Sequence, residues 1–196
     1  VARAFGVVVS TVRTFVAVDI SERSREALSD LVESIRRKGD GLSWSNPNTY
    51  HVTLRFLGDI EGSKLDDVAT AVHDASADLS GFSIRFGTTG AFPNLRRPRV
   101  LFVGIDEGTD ELVSLAASLN AELDRRGFGS EKSFSPHLTV ARVRRETPDA
   151  RVLDRWRTTE FEAPHTRVEE IIVFESQLRS DGARHIPRAR IALTGR

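Results

Sequence analysis

The chain of 196 residues has no cysteine, no methionine, one tyrosine, two tryptophans and only three lysines, Lys38, Lys64 and Lys132. Without cysteine there is no disulfide framework, no thiolate nucleophile and no Cys-type zinc site, so any metal would rest on His and carboxylates alone. An excess of one charge is also missing. The 28 basic residues balance 28 acidic ones, 12 of each up to residue 98 and 16 of each after it. A nonspecific coat for DNA, which needs a basic surface, is disfavoured. No stretch reaches the roughly 18 apolar residues of a membrane-spanning helix. Residues 1–12, with only the short run Val7-Val8-Val9, make a poor signal peptide and read as an N-terminal extension. The expected location is the cytoplasm.

What is present is the composition of an ordinary soluble globule, 39% hydrophobic and 29% charged. Residues 13–196 read as one domain, long enough to bury about two-thirds of its unfolded surface. Arginine supplies 25 of the 28 basic residues. Its planar fork suits bidentate phosphate recognition, although a GC-rich genome gives the same bias without any function.

Residues 14–20 run apolar like a buried strand and stop at Ser21, a good helix N-cap. Ala27, Leu28, Leu31, Val32 and Ile35 follow at helical spacing, with Gly39 as the stop. The turn Asn46-Pro47-Asn48 leads into a strand over residues 51–57, ending at Gly58-Asp59. A second helix from near Ser63 sets Leu65, Val68, Ala69, Val72 and Leu79 on one face. Nothing regular is assigned between Leu79 and the Pro- and Arg-rich connection 92–98. Then come a strand over 100–105, a helix over 109–126 closed by Gly127, a strand over 137–143, a short helix opened by Pro148, and strands over 168–175 and 184–193. Adjacent strands joined by short turns favour antiparallel pairing. The expected fold is α+β and bilobal: two pseudo-symmetric lobes of mostly antiparallel sheet, outer helices and a central cleft.

The repeat that carries chemistry is shorter. His51-Val52-Thr53-Leu54 and His137-Leu138-Thr139-Val140 show one pattern 86 positions apart, each within an expected strand. Residues i and i+2 of a strand share a face about 6.8 Å apart, so each His and its Thr point one way while the apolar pair points into a core. Facing each other across a groove, the pairs would set two imidazoles and two hydroxyls around one small anion. One neutral His can then take a proton from water while the other, protonated, gives one to a leaving oxygen. The Thr hydroxyls can donate to non-bridging phosphate oxygens. A single His-x-Thr in a strand is common by chance, and a lone buried His is more often a satisfied core group. Two copies at equivalent places in two similar halves argue for a site. Neither motif contains the carboxylate that a metal would want, so no metal and no cofactor is expected.

At this point the chain resembles the two-histidine phosphoesterases and, within them, the RNA 2′,3′-cyclic phosphodiesterases, also called 2′-5′ RNA ligases. The resemblance runs from Arg13 through RTFVAVDI, HVTLRFLGD, GAFPNLRRPRVLFVGI, FSPHLTVAR and FESQLRSDGARH. Where family members usually carry an aromatic residue, this chain has His185. The resemblance implies that His51 is the proton donor to the departing ribose 3′ oxygen and His137 the acceptor that activates water, giving an RNA 2′-phosphate. The two nearly identical motifs do not by themselves say which His plays which part. It further implies that Thr53, Thr139 and Arg142 hold phosphate and that Phe56 offers a face for base stacking. Core packing for Phe56 and a surface ion pair for Arg142 stand as alternatives. Both lie five positions after a motif His, so strict alternation would turn them away from the site unless a bulge or strand end intervenes.

The implied partner is RNA ending in a 2′,3′-cyclic phosphate, tRNA fragments and small cyclic nucleotides included, met by a monomer. The same site run backwards would join RNA halves through a 2′-5′ linkage. A noncatalytic nucleotide- or RNA-binding module using the same cleft is the competing class. His73 and His165 read as surface residues. The clusters Arg96-Arg97-Arg99 and Arg142-Arg144-Arg145 read either as a solvated face or as a guide for RNA.

Overall fold

Ser21 accepts the backbone N–H of Ser24 and so caps the first helix where the sequence places it. The computed structural model describes residues 10–130, 134–144, 147–179 and 182–195. Positions 1–9 of the expected N-terminal extension and Arg145 of the second arginine cluster lie outside the described residues. The elements are β1 (Thr11–Asp19), α1 (Glu22–Ile35), β2 (Leu42–Trp44), β3 (His51–Glu61), α2 (Leu65–Ser76), β4 (Phe82–Phe92), β5 (Val100–Glu107), α3 (Thr109–Arg125), β6 (His137–Val143), α4 (Ala150–Thr158), β7 (Thr166–Val168), β8 (Glu170–Arg179) and β9 (Gly182–Ala192).

Two antiparallel sheets form, one in the order β3-β1-β8-β9 and one in the order β2-β6-β5-β4-β7. The two-lobed α+β architecture matches the sequence reading, but the lobes are not the two halves of the chain. The first sheet joins the N-terminal β1 and β3 to the C-terminal β8 and β9, and β2 leaves the first half to pair with β6. Other departures are local. Helix α1 ends at Ile35, and Gly39 sits in the following turn with φ +79° rather than closing the helix. Leu79 falls beyond α2, and Asp149, not Pro148, caps α4. The segment left unassigned is β4, in which Phe82, Ile84 and Phe86 alternate inward.

In each sheet one face meets the helices and the other faces the cleft. Val16 and Val18 of β1, Val52 and Leu54 of β3, Leu101 and Val103 of β5, and Leu138 and Val140 of β6 share the core with Leu28, Leu31, Val32 and Ile35 of α1 and with Leu112, Leu115, Leu119 and Leu123 of α3. Helix α2 packs on α3 and reaches β8 and β9, whereas α1 packs on α4 and α4 on β4. Trp156 of α4 is fully buried and donates its indole N–H to the Gly90 carbonyl at 2.9 Å.

Gly90 itself has no room for a side chain, because a Cβ there would stand 2.3 Å from the Phe102 ring. That ring is the cross-strand neighbour of Gly90 and one of two aromatic supports of His137. Gly90→Ala is therefore expected to cost about 1–3 kcal/mol by overpacking, read as a lowered urea midpoint at unchanged slope. It should also broaden or shift the His137 ring resonances while leaving those of His51 in place.

Candidate active site

Each motif histidine opens a strand, and the main-chain carbonyl two residues before it fixes its ring. Residues 47–49 form one 3₁₀ turn, capped by the Asn46 side chain, which accepts the Asn48 N–H at 2.9 Å. The Thr49 carbonyl then accepts from His51 Nδ1 at 2.7 Å. In the other lobe the Ser135 carbonyl accepts from His137 Nδ1 at the same 2.7 Å. A carbonyl only accepts, so Nδ1 carries the proton in both rings, and Nε2 is the nitrogen that gains or loses one. The Thr53 hydroxyl lies 3.0 Å from His51 Nε2 and donates to it when the ring is neutral. Arg25 braces the first turn, donating to the Pro47 carbonyl at 2.6 Å while pairing with Asp19 at 2.8 Å.

The face reversal that Phe56 and Arg142 require is present. Ala17 pairs with Thr53 and Val16 with Arg55, so Leu54 is an extra residue in β3. Phe102 pairs with Thr139 and Leu101 with Ala141, so Val140 is an extra residue in β6. Both bulges fall one residue after the motif Thr. After each, two buried residues occur in succession, Leu54-Arg55 and Val140-Ala141, and the next side chain returns to the cleft. Phe56 is 44% exposed there, so the core-packing alternative does not hold for it, and the Arg13 guanidinium lies 4.7 Å from its ring centroid. Arg142 is exposed and has no ion pair among the described residues, which removes the surface-pair alternative within that set.

His51, Thr53, Phe56, His137, Thr139 and Arg142 all line one cleft of about 1000 Å³ between the sheets. Every residue singled out for the site in the sequence is thus brought together. His73 and His165 stay at the surface, paired with Asp74 at 3.3 Å and Glu107 at 2.8 Å. Among the described residues no group of three or more His, Asp or Glu is placed to hold a metal ion.

Aromatic rings that the sequence does not flag wedge the two imidazoles. His51 lies 4.9 Å from Phe15 and 6.3 Å from Phe174, ring centre to ring centre, and His137 lies 4.9 Å from Phe92 and 5.4 Å from Phe102. Phe15 and Phe102 sit on the strand next to their histidine, and Phe174 and Phe92 one strand further, so only the pairing register reveals them. His185 adds its edge to His51 at 5.2 Å and to Phe15 at 4.9 Å. Its Nδ1 is buried without a hydrogen-bond partner among the described residues.

Burial among these rings dominates the electrostatics. It pushes the His51 imidazole down to about 4, against the opposing pull of the Thr49 carbonyl, with neighbouring His185 adding to the depression. Burial also lowers His137, aided by the Arg142 charge and opposed by the Ser135 carbonyl, and it lowers His185. In the free protein the motif rings are therefore held neutral at pH 7, His51 most firmly.

A family model described as the 2′-5′ RNA ligase superfamily matches residues 22–179. Among relatives named RNA 2′,3′-cyclic phosphodiesterase, the Aquifex aeolicus protein is 34% identical over 179 residues, covering 87% of this chain and 92% of its own length. The Thermotoga maritima protein is 33% identical over 132 residues, 67% of this chain and 70% of its own. The crystal structure of a Thermus thermophilus protein superposes with TM-score 0.80 at 27% identity, covering 93% of this chain and 98% of that one. E. coli LigT complexed with 3′-AMP, at 24% identity and TM-score 0.75, covers 94% and 99% and shares the fold. With the family model spanning most of the chain, and with its repeated His-x-Thr strands facing one cleft, the protein belongs to the 2′-5′ RNA ligase superfamily of two-histidine phosphoesterases.

Proposed function

We propose that the protein is an RNA 2′,3′-cyclic phosphodiesterase that opens the ring to a 2′-phosphate without a metal. The observation that carries this reading is the matched pair of imidazoles, each with Nδ1 locked to a main-chain carbonyl, so that two Nε2 atoms serve one cleft beside Thr53 and Thr139. The relatives named RNA 2′,3′-cyclic phosphodiesterase support the substrate class.

In the proposed step, water attacks phosphorus as His137 Nε2 takes its proton. The bond from phosphorus to the ribose 3′ oxygen breaks, and His51 Nε2–H protonates that oxygen. The products are a 3′-hydroxyl and a 2′-phosphomonoester, and the two rings exchange roles until solvent resets them. Each proton transfer is worth about 10²- to 10⁴-fold. Thr53, Thr139 and Arg142 donate to the phosphate oxygens as charge builds, and Phe56 offers its exposed ring to a base. The backward reaction, joining RNA halves through a 2′-5′ linkage, uses the same groups.

The proton donor needs a source for its charge. A ring held near 4 is almost entirely neutral at pH 7, so the substrate's phosphate anion must raise His51 when it binds. The ordering in the free protein favours a second reading in which His137 is the acid and His51 the base, since His51 resists protonation more strongly. Mapping the product's phosphate separates the two: a 2′-phosphate fits the first, a 3′-phosphate the second.

Three outcomes test the proposal. His51→Ala and His137→Ala should each lower kcat by about 10²- to 10⁴-fold on an oligonucleotide ending in a 2′,3′-cyclic phosphate. Full turnover by either variant would overturn the paired acid and base, and loss of wild-type activity in EDTA would overturn metal independence. NMR titration should find both rings neutral at pH 7 in the free protein, with His51 midway near 4. Bound phosphate should move both midpoints upward. Because the anion favours the charged ring, the alkaline limb of kcat should lie at higher pH than that of kcat/KM.

A further inference from the structure

Beside the cleft is a second cavity of about 1050 Å³, lined by Arg36, Arg37, Lys38, Trp44 and Arg144 among others. We propose that it is a backbone subsite for the RNA strand leading to the cyclic phosphate, holding phosphates beyond the terminal nucleotide. The proposal rests on the cyclic phosphodiesterase reading above and deepens it by assigning where the strand beyond the terminal nucleotide is held.

Three observations carry it. First, the cavity is continuous with the cleft, since Arg36, Trp44 and Arg144 line both. Along β6 the order is His137, Thr139 and Arg142, and one residue past its end comes Arg144, whose backbone N–H donates to the Gly41 carbonyl at 3.0 Å in the loop that walls the cavity. At about 3.3 Å per residue, less the bulge, Thr139 and Arg144 stand roughly 13 Å apart. A nucleotide with its cyclic phosphate between the motif histidines ends short of the second cavity, and a longer strand enters it.

Second, the charge is concentrated and, among the described residues, mostly unpaired. In a chain with no net charge, four basic side chains among the described residues line this cavity. Only Arg36 is paired, with Glu33 at 3.0 Å, while Arg37, Lys38 and Arg144 are exposed and have no ion pair among the described residues. Among the described residues the one carboxylate in the wall, Asp40, is buried and hydrogen-bonded internally. It accepts from the Arg37 N–H at 3.0 Å, the Leu42 N–H at 3.0 Å and Trp44 Nε1 at 2.8 Å. That carboxylate therefore stiffens the loop and fixes the indole.

Third, the boundary between the cavities is aromatic. Trp44 is half-buried and held in place by Asp40 and by an edge contact to Trp156 at 6.4 Å. A fixed ring beside a row of cations is the arrangement that tracks single strands, with bases on the ring and phosphates on the charges. Proximity to the C-terminus of α1 would also favour cations at Arg36–Lys38, but that explains neither the indole nor the continuity with the cleft.

The test uses the full chain and two substrates, 2′,3′-cyclic AMP and a short single-stranded oligoribonucleotide ending in a 2′,3′-cyclic phosphate. The wild type should favour the oligonucleotide in kcat/KM, increasingly so at low salt. The doubly substituted Arg37→Ala, Lys38→Ala protein should turn over cyclic AMP as the wild type does and lose most of the oligonucleotide advantage. Anisotropy with the labelled oligonucleotide should show the plot of log Kd against log salt becoming shallower by about 1.4, at about 0.7 per phosphate contact on a single strand. The Arg37→Lys control should keep the slope. An unchanged slope, or an unchanged ratio between the two substrates, would overturn the subsite. If neither substrate is converted by the wild type, the functional reading fails, while the anisotropy slope still decides whether the cavity binds the strand.

Discussion

The bulge one residue after the motif Thr in each strand determines what the cleft contains. Without the bulges at Leu54 and Val140, the strict two-residue period would send Phe56 and Arg142 into the helices behind the sheets and bring Arg55 and Ala141 forward. With them, the apolar supports Val52, Leu54, Leu138 and Val140 stay in the core, and each strand serves core and cleft at once. Arg55 shows what the reversal demands. It is 4% exposed on the core side, where its guanidinium donates to Asn120 at 2.8 Å on α3 and to the Gly129 carbonyl beyond that helix. In β6 the equivalent position is Ala141, which needs no such satisfaction. The bulge is thus shared by the two lobes, while the way each lobe accommodates it is not.

Much of this is legible in the sequence, for identifiable reasons. Ser21, the helical spacing of α1 and α3, and the stop at Gly127 are local signals, and local signals survive folding. The paired motifs stand out because one pattern occurs twice in strand context, and alternation alone requires that a bulge or a strand end follow if Phe56 and Arg142 are to join the site. What the sequence hides is set by remote partners. Strands β2 and β7 are three residues each and exist only because β6 and β4 lie beside them. Strand β4 carries an alternating Phe82, Ile84, Phe86, but Gly87, Thr88, Thr89 and Gly90 interrupt the pattern, and its register with β5 shifts there. The expected division into halves fails as a division into lobes because the pairing of β8 with β1 joins opposite ends of the chain. The same reasoning covers Phe15, Phe174, Phe92 and Phe102: each reads as an ordinary strand aromatic until the register sets it against a histidine.

The two motifs are alike in sequence, alike in tautomer and alike in bulge, yet they end in different electrostatic surroundings. In the proposed reaction the two rings hold opposite protonation states at the start of the step, and unlike surroundings are one way for a single cleft to favour that division. The asymmetry comes from what leans on each ring. His51 is enclosed by Phe15, Phe174 and the edge of His185, a side of the cleft built by β1, β8 and β9. His137 has Phe92 and Phe102 behind it and the Arg142 charge further along its own strand. Burial opposes the imidazolium at both, and the neighbouring imidazole of His185 opposes it again at His51 alone. A repeated motif therefore gains two different electrostatic settings from unrepeated neighbours. In the proposed reaction an anion in the cleft acts against that same burial, and since the desolvated ring gains most from a nearby negative charge, His51, the ring hardest to protonate in the free protein, is expected to respond most.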